Sequence, residues 1–577
     1  METLLAKDIE KSVKHGQKIS GAEAVILSLL CEGVETVFGY PGGAIMPIYD
    51  ALFQYQEELQ HILVRHEQGA IHAAQGFARV SGKVGVCMAT SGPGATNLIT
   101  GIADAKIDST PLVCITGQVA SHLLGTDAFQ ETDVIGISMP VTKWNYQVTC
   151  VEEIAEVIAK AFYIAHSGRP GPVLIDITKD AQFAEAEFKY KKCESIRSYH
   201  PVPKINHDHI KQAIDLIHQA ERPYMLIGQG ITLSGAEKEV KAFVEKSGIP
   251  VASTLLGLSA FPPDHDLYVG YLGMHGNYGP NVLTNKCDLL IAAGMRFDDR
   301  VTGNLQTYAR QAKVLHIEID PAEIDKNVKT DVAINADAKE ALALLTEKVN
   351  KRSFPDWLAE FRKCNKLETE KVINRHIYPD QGELKMGEVI HLISEKTKGE
   401  AIVVTDVGQH QMATSRYYKF RSNKSNVTSG GLGTMGFALP AAFGAKIGAP
   451  EREVIAIIGD GGFQMTLQEL GSIFQYKVPV KIVVLNNNFL GMVRQWQQLF
   501  FEKRYSSTEM VNPNFTTIVS GYDIPAKKVA NREEIGQAID DMLAHQGPYF
   551  MEVMVEKEEN VFPMVPSGAC VTEIRLE

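Results

Sequence analysis

Short, continuous runs of aliphatic and β-branched residues recur along the whole chain, with helical stretches between them. GVCMAT (85–90), PLVCITG (111–117), PVLIDIT (172–178), PYMLIG (223–228) and DLLIAAG (288–294) are such runs. So are KVLHIEID (313–320), EAIVVTD (400–406), EVIAIIGD (453–460) and VKIVVLNN (480–487). A strand that is apolar at every position must be covered on both faces, as in a parallel sheet. Intervening stretches such as VEEIAEVIAKAFYIAHS (151–167) supply amphipathic helices for that cover. The pattern predicts an α/β protein built from doubly wound parallel sheets.

Two polar stretches without strand character, roughly 181–205 and 350–383, divide the 577 residues. We expect three domains, over 1–185, 186–350 and 351–577, each near the usual domain size. No sequence repeat relates the first to the third. The formal net charge is −12 and no basic tract is present, which argues against nucleic acid as a partner. No apolar run approaches the ~18 residues of a membrane span. METLLAKDIEKSVKHGQKIS carries acids and lacks an apolar core, unlike a secretory leader. The eight cysteines form no CxxC, so free thiols are expected, buried at Cys87 and Cys114. These features suggest a soluble, cytoplasmic enzyme.

The sharpest constellation lies in the third block. A strand runs into Gly459-Asp460-Gly461-Gly462, read as a tight turn, and then into the helix FQMTLQELGSIFQY. The next strand ends at Asn486-Asn487-Asn488, and Asp460 and Asn487 are 27 residues apart. A strand–helix–strand unit takes about 30 residues, so both side chains should reach the carboxyl ends of neighbouring strands. Open α/β sheets bind ligands at that edge. A carboxylate and an amide oxygen there can hold a hard cation whose shell a diphosphate completes. An Asp-Gly turn with polar strand ends is the plainer account; the spacing, each group following an apolar strand, favours the site.

In the first block, VFGYPGGAIMPIYDAL (37–52) sets a Gly-Gly turn before a helix. HILVRHEQGAIHAAQGFARVSG (61–82) puts Glu67 at a strand–helix junction, and SGPGATNLITGIADA (91–105) again opens a helix with glycines. Alone, each has an ordinary explanation, a helix N-terminal charge or a glycine turn. In the middle block IGQGI, TLLG, LGMHG, AAGMRFDD and HIEID set glycine or carboxylate at strand ends, the logic of a nucleotide groove. Gly228-Gln229-Gly230 lacks the full GxGxxG pattern, so a conventional NAD site is not supported.

GDG…NN with an upstream HEQGA glutamate resembles the thiamine diphosphate-dependent decarboxylases and carboligases. FGYPGGAI, RHEQGA, TSGPGATN, GRPGPVLIDITKD, LGMHG, RFDDRVTGN, GGLGTMGFALPAA and NNNFLGMVRQWQ follow in family order. Together, from about residue 18 to about 570, they resemble the catalytic large subunits of FAD-containing acetohydroxyacid (acetolactate) synthases. The resemblance implies thiamine diphosphate, Mg²⁺ and FAD as cofactors. It implies decarboxylation of pyruvate and condensation with a second pyruvate or with 2-oxobutyrate, the first common step of valine, leucine and isoleucine synthesis.

Carried over by position, the resemblance makes Asp460 and Asn487 the side-chain ligands of Mg²⁺. Phe489 would give a backbone carbonyl, leaving its own side chain unconstrained. Gly459, Gly461, Met435 and Met492 would surround the thiamine cofactor, Met435 as the apolar wedge between its rings. Glu67 would exchange a proton with the aminopyrimidine ring. Gly43, through its N–H, and Gln130 would line the reacting centre. Phe129 and Lys179 would border the channel and acceptor site, with Arg300 on the acceptor carboxylate. Trp496 would narrow the acceptor pocket in favour of 2-oxobutyrate. The flavin would lie along Arg169, Gly228, Gly230, Thr254, Leu255, Met274, His275, Gly294, Arg296, Asp298, Glu318, Ile319 and Asp337. The resemblance also implies at least a homodimer, with Glu67 and the diphosphate site on different subunits, and a separate small regulatory subunit. A flavin-dependent pyruvate oxidase on the same scaffold is the alternative. Glu67 argues against glyoxylate carboligase, and intact Asp460, Asn487 and Glu67 argue against a non-enzymatic regulator.

Overall fold

The computed structural model describes residues 14–577. The chain divides into two compact units. One takes the chain to Pro201 together with Gly431–Glu451 and Met465–Val480; the other holds Val202–Gly430, Arg452–Gln464 and Lys481–Glu577.

The first unit is built on a six-stranded parallel sheet. Its spatial order is Gln60–Leu63, Thr36–Gly39, Gly85–Ala89, Leu112–Gln118, Pro172–Thr178 and Trp144–Val148. The strands Gly85–Ala89, Leu112–Gln118 and Pro172–Thr178 are buried at every position, as apolar runs require. Cys87 and Cys114 face each other in register on two of them, as buried free thiols. Lys18–Ser20 and Glu185–Glu187 form a separate antiparallel pair. The second of these falls in the stretch read as lacking strand character; three mostly exposed residues, two of them acidic, carry no apolar signal.

The helix Glu67–Ser81 starts on His66, whose Nδ1 accepts the Gln68 N–H, and stops at Gly82 in the left-handed region. It packs backbone to backbone against Ala438–Gly448. A Cβ at Gly76 would come within 1.9 Å of the Ala441 carbonyl, and one at Gly444 within 1.9 Å of the Ala73 carbonyl. This seam explains the small residues of both HEQGAIHAAQGFAR and GFALPAAFGAKIG, since only small residues let two backbones approach so closely.

The second unit holds two six-stranded parallel sheets. One runs Tyr268–Tyr271, Val251–Ser253, Pro223–Ile227, Leu289–Ala293, Lys313–Glu318, Val332–Asn335. Numbered along the chain, this is the order 3-2-1-4-5-6 of dinucleotide-binding sheets. The other runs Asn426–Thr428, Ile402–Thr405, Val454–Gly459, Lys481–Asn486, Tyr549–Met554, Ala526–Val529. Its chain order, 2-1-3-4-6-5, is also that of the first unit's sheet. The two share a topology although no sequence repeat relates them.

The stretch 350–383 is largely helical, with Pro355–Glu368 continuing through a π-helical turn, Thr369–Ile373, into Asn374–Ile377. Gly459-Asp460-Gly461-Gly462 is not a separate turn: the strand ends at Gly459 and the helix Asp460–Thr466 begins on the next residue. FQMTLQELGSIFQY is not one helix either. It breaks at the 3₁₀ turn Leu467–Glu469 and resumes over Leu470–Tyr476. Among the described residues no helix is long and apolar enough to cross a membrane.

Candidate active site

In the second unit, Val454–Gly459 and Lys481–Asn486 are adjacent and parallel, with Gly459 opposite Leu485. Asp460 and Asn487 therefore leave neighbouring strand ends side by side. On the other flank of Val454–Gly459 lies Ile402–Thr405, the first strand of this sheet along the chain. The strand order reverses between those two, so Asp460 stands at the switch point, where such sheets open a crevice.

Asp460 is 1% exposed. Burial pushes its carboxyl up to about 6, against hydrogen bonds from Asn512 and the backbone of Gly461 and Asn488. Asn512 Nδ2 donates to Asp460 Oδ2 at 2.7 Å and lies 3.1 Å from Asn486 Oδ1 and 3.2 Å from Asn488 Oδ1. Asn487 is buried, and its Oδ1 accepts the Phe489 N–H at 3.2 Å. Its Nδ2 donates to Gln409 Oε1 at 3.4 Å. The Phe489 side chain is packed rather than free: it is 4% exposed, 5.8 Å from the Tyr505 ring, with Lys557 Nζ 5.1 Å above it. The side chain at this position is thus constrained by an apolar slot.

The helix Gln409–Tyr417 brings two residues that the motif reading missed. Gln409 joins Asn487 to Gln495 and to the Glu559 carbonyl. His410 is buried, and its Nε2 has no hydrogen-bond partner. A Cβ on Gly459 would come within 2.9 Å of this ring, and a Cβ on Gly462 within 2.5 Å of Asp406 Oδ1. The glycines of GDGG keep that crevice clear. A buried oxygen set built on the Asp460 carboxylate, with an unpartnered imidazole nitrogen beside it, suits a hard divalent cation with an anionic ligand.

Met492 and Trp496 lie one turn apart on the helix Gly491–Phe500, both partly buried, and the Trp496 ring is 5.3 Å from Phe500. Arg494 and Gln495 of that helix bind the carbonyls of Glu559 and Val561 and so hold down the C-terminal segment. This segment continues to Val565, whose N–H donates to the Met274 carbonyl at 2.8 Å. Met274 N–H in turn donates to the Arg300 carbonyl, and Arg300 Nη1 is 3.7 Å from Met274 Sδ. Met274, Arg300, Ser567 and Gly568 line a cavity of about 210 Å³. The motif reading gave the C-terminal residues no role.

The middle sheet reverses order between Pro223–Ile227 and Leu289–Ala293. At their carboxyl ends, a Cβ on Gly228 would lie 2.3 Å from the Gly294 carbonyl, and one on Gly230 would lie 2.5 Å from Gly294 Cα. Gly294 itself has φ +58°. Glycine is required at all three points for the chains to meet at this crevice, a cradle fitted to a nucleotide. Thr254 follows one strand alongside, and Glu318 ends another, with Ile319 next to it. Thr254 Oγ1 accepts the Gly257 N–H, Glu318 Oε1 accepts the Asp320 N–H, and the Leu255 carbonyl accepts Asn426 Nδ2. Asp337 and Asp298 cap the helices Ala338–Lys348 and Asp299–Thr302. Burial raises the Asp298 carboxyl while Arg296 opposes it. His275 is buried, its imidazole lowered to about 4 by burial and then by Arg416.

In the first unit, Glu67 is the first residue of its helix and 9% exposed. Asn97 Nδ2, from TSGPGATN, donates to Glu67 Oε2 at 2.9 Å; this partner was not anticipated. A Cβ at Gly94 would sit 3.3 Å from Glu67 Oε1, so the glycine leaves the carboxylate room. Gly42 packs on Thr90, whereas Gly43 is exposed and a side chain there would meet nothing within 4 Å. Gln130 has φ +59° and lies over Gly92, where a Cβ would come within 2.8 Å of its carbonyl. Lys179 opens the helix Lys179–Phe183 and is partly buried. Phe129 is 88% exposed, and Met435 is partly buried. Arg169 Nε donates to Ser109 Oγ at 2.9 Å.

Three family models match the chain, all of thiamine pyrophosphate enzymes: the N-terminal TPP binding domain over residues 19–137, the central domain over 210–345, and the C-terminal TPP binding domain over 406–553. The acetolactate synthase isozyme 2 large subunit of Escherichia coli is 44% identical over 559 residues, 96% of this chain and 99% of that protein. The acetolactate synthase large subunit of Corynebacterium glutamicum is 46% identical over 572 residues, 97% of this chain and 90% of that one. The acetolactate synthase large subunit of Lactococcus lactis is 44% identical over 560 residues, 97% and 96% of the two chains.

Proposed function

The chain belongs to the thiamine pyrophosphate enzymes, among the acetolactate synthase large subunits, and from that premise we propose how its own residues carry the reaction. The observation that carries the proposal is the buried Asp460 beside Asn487 at the switch point of its sheet. Asp460, Asn487 and the Phe489 carbonyl would hold Mg²⁺, with His410 and the glycines of GDGG toward the diphosphate. Bound there, the thiamine cofactor would supply a carbon nucleophile for a 2-oxo acid and a sink for the charge left by loss of CO₂.

Glu67 holds and moves the proton that readies this nucleophile, and Asn97 keeps one of its oxygens oriented while the other stays available. Met435 gives an apolar contact beneath the cofactor, Met492 another, and Gly459 and Gly461 bring the backbone close to it. The Gly43 N–H and Gln130 stabilise negative charge at the reacting oxygen. Lys179 and Arg300 bind the acceptor carboxylate, Arg300 as a planar fork suited to it. Trp496, backed by Phe500, narrows the acceptor pocket, and Phe129 borders the channel. An apolar, water-poor pocket favours loss of CO₂ because charge disperses in that step.

Gly228, Gly230 and Gly294 would hold FAD in the middle-sheet crevice, along Thr254, Leu255, Met274, His275, Arg296, Asp298, Glu318, Ile319 and Asp337, with Arg169. We keep the division read from the sequence, 1–185, 186–350 and 351–577, as a proposal, each block carrying one of the three six-stranded sheets. The enzyme would work as at least a homodimer; the large-subunit names of its relatives support a separate small regulatory subunit.

The test is a product assay with pyruvate, Mg²⁺, thiamine diphosphate and FAD, with and without 2-oxobutyrate. Acetolactate, and acetohydroxybutyrate when 2-oxobutyrate is added, are the expected products. Electron transfer from pyruvate to an added acceptor, without acetolactate, would replace this reading by a pyruvate oxidase.

A further inference from the structure

The turn that delivers Glu67 is held by a second carboxylate from a distant part of the chain. Glu469, in the 3₁₀ turn Leu467–Glu469, has no exposed surface. Its two oxygens accept the backbone N–H of Arg65 at 3.1 and 3.2 Å. The His66 N–H bonds the same carboxylate, and Ser472 Oγ donates to Oε2 at 2.7 Å. The grip continues into the helix itself, because a Cβ on Gly69 would come within 2.3 Å of Glu469 Oε1.

These contacts do what a cap does, at an unusual place. Arg65 and His66 precede the helix Glu67–Ser81, so the helix cannot bond their N–H groups, and both are satisfied by one buried anion. Arg65 turns its guanidinium away, onto the carbonyls of Leu63 and Gly471 and the Gln475 side chain. Such a charge is costly to bury unless several donors point at it. Burial does raise the Glu469 carboxyl, and the Ser472 and Arg65 contacts oppose the rise. A charge kept at that cost, on the N–H groups one and two residues ahead of Glu67, fixes the direction in which the Glu67 side chain leaves the backbone.

We propose that Glu469 is a positioning residue for Glu67: by clamping the Arg65 and His66 N–H groups against Gly69, it sets the orientation from which Glu67 exchanges its proton with the cofactor. The proposal rests on the reading of Glu67 given above. The test uses the full chain with Mg²⁺ and thiamine diphosphate, in Glu469→Gln and Glu469→Ala, with Glu67→Gln as comparator. Three quantities are measured: deuterium exchange at C2 of the bound cofactor, thiamine diphosphate affinity, and amide protection of residues 65–68 in the chain alone.

Glu469→Ala should slow C2 exchange by about 10²-fold, the usual cost of a misplaced reacting group. Glu469→Gln, which keeps one acceptor oxygen and the shape, should fall between. Cofactor affinity should hardly change, while protection at 65–68 drops. C2 exchange at the wild-type rate in Glu469→Gln and in any folded Glu469→Ala, with Glu67→Gln slow, would overturn the proposal and leave the role of Glu67 standing. Wild-type exchange in Glu67→Gln would instead remove that role, and the proposal with it.

Discussion

Replacing Arg416 by methionine should loosen the cation-site edge of the second unit from a distance. Arg416 and Glu368 form an ion pair with both side chains 1% exposed. Arg416 Nη2 donates to Glu368 Oε1, and its Nη1 donates to the carbonyls of His275 at 3.1 Å and Gly276 at 3.2 Å. Glu368 also accepts Asn277 Nδ2 at 2.9 Å and the Tyr278 N–H at 2.6 Å. The pair thus ties the end of Pro355–Glu368, the loop 275–278 and the helix Gln409–Tyr417, whose opposite end carries Gln409 and His410. Methionine leaves the Glu368 charge buried with two donors and no counter-charge, a loss of about 3–5 kcal/mol. Arg416→Met with Glu368→Leu removes both charges. It orphans the Asn277 and Tyr278 donors at about 1–3 kcal/mol each, so the double variant should cost about as much as the single one rather than the sum of two. The coupling between the two sites should reach about 2–3 kcal/mol. Native-state amide exchange over 409–417 and 275–278 reads the local opening, which should speed up roughly 10²–10⁴-fold in Arg416→Met. A loss under about 1 kcal/mol, or strict additivity in the double variant, would reduce the pair to the worth of a surface bridge and refute the reasoning.

Trp496→Leu should lower the preference for 2-oxobutyrate over pyruvate by about 1–3 kcal/mol while acetolactate formation survives; an unchanged product ratio in a competition assay would leave Trp496 as packing. His72 is wholly buried, 5.3 Å from the Phe437 ring, and burial, helped by Arg79, lowers its imidazole to about 3. The unfolded chain takes up that proton near ~6.5. The contribution is therefore complete above about pH 6.5 and is lost as pH falls toward 3, by up to about 1.4 kcal/mol per pH unit. His72→Gln should flatten this acid limb when unfolding is compared at neutral and mildly acidic pH, and an unchanged slope would assign the limb elsewhere. The condensation moves no net electrons, so a 5-deaza flavin bound in the middle-sheet crevice should restore activity to flavin-free protein as well as FAD does. Binding with no activity would mean that the flavin does redox work.

Much of the fold is readable because strands that are buried on both faces must be apolar throughout. Every apolar run singled out in the sequence contains a strand, from Gly85–Ala89 to Lys481–Asn486, within a residue or two. The site is readable to the extent that its chemistry sits at strand ends and needs glycine beside it, as with Asp460 and Asn487. What stays hidden depends on partners. Gly431–Glu451 joins the first unit through a seam of glycine and alanine, and neither side of that seam is distinctive until the other is known. The shared strand order of the first and third sheets lies in how the chain crosses over, which leaves no residue signature. Asn512 and Asn97 are ordinary loop or helix amides until the fold sets them on Asp460 and Glu67. Glu469 is the clearest case. In QELGS it reads as one more acid on an amphipathic helix, and a solvent-facing side chain is the natural expectation. Only when the chain folds do the N–H groups of Arg65 and His66, some 400 residues away, turn a poor place for a charge into an anchor for the turn that leads into Glu67.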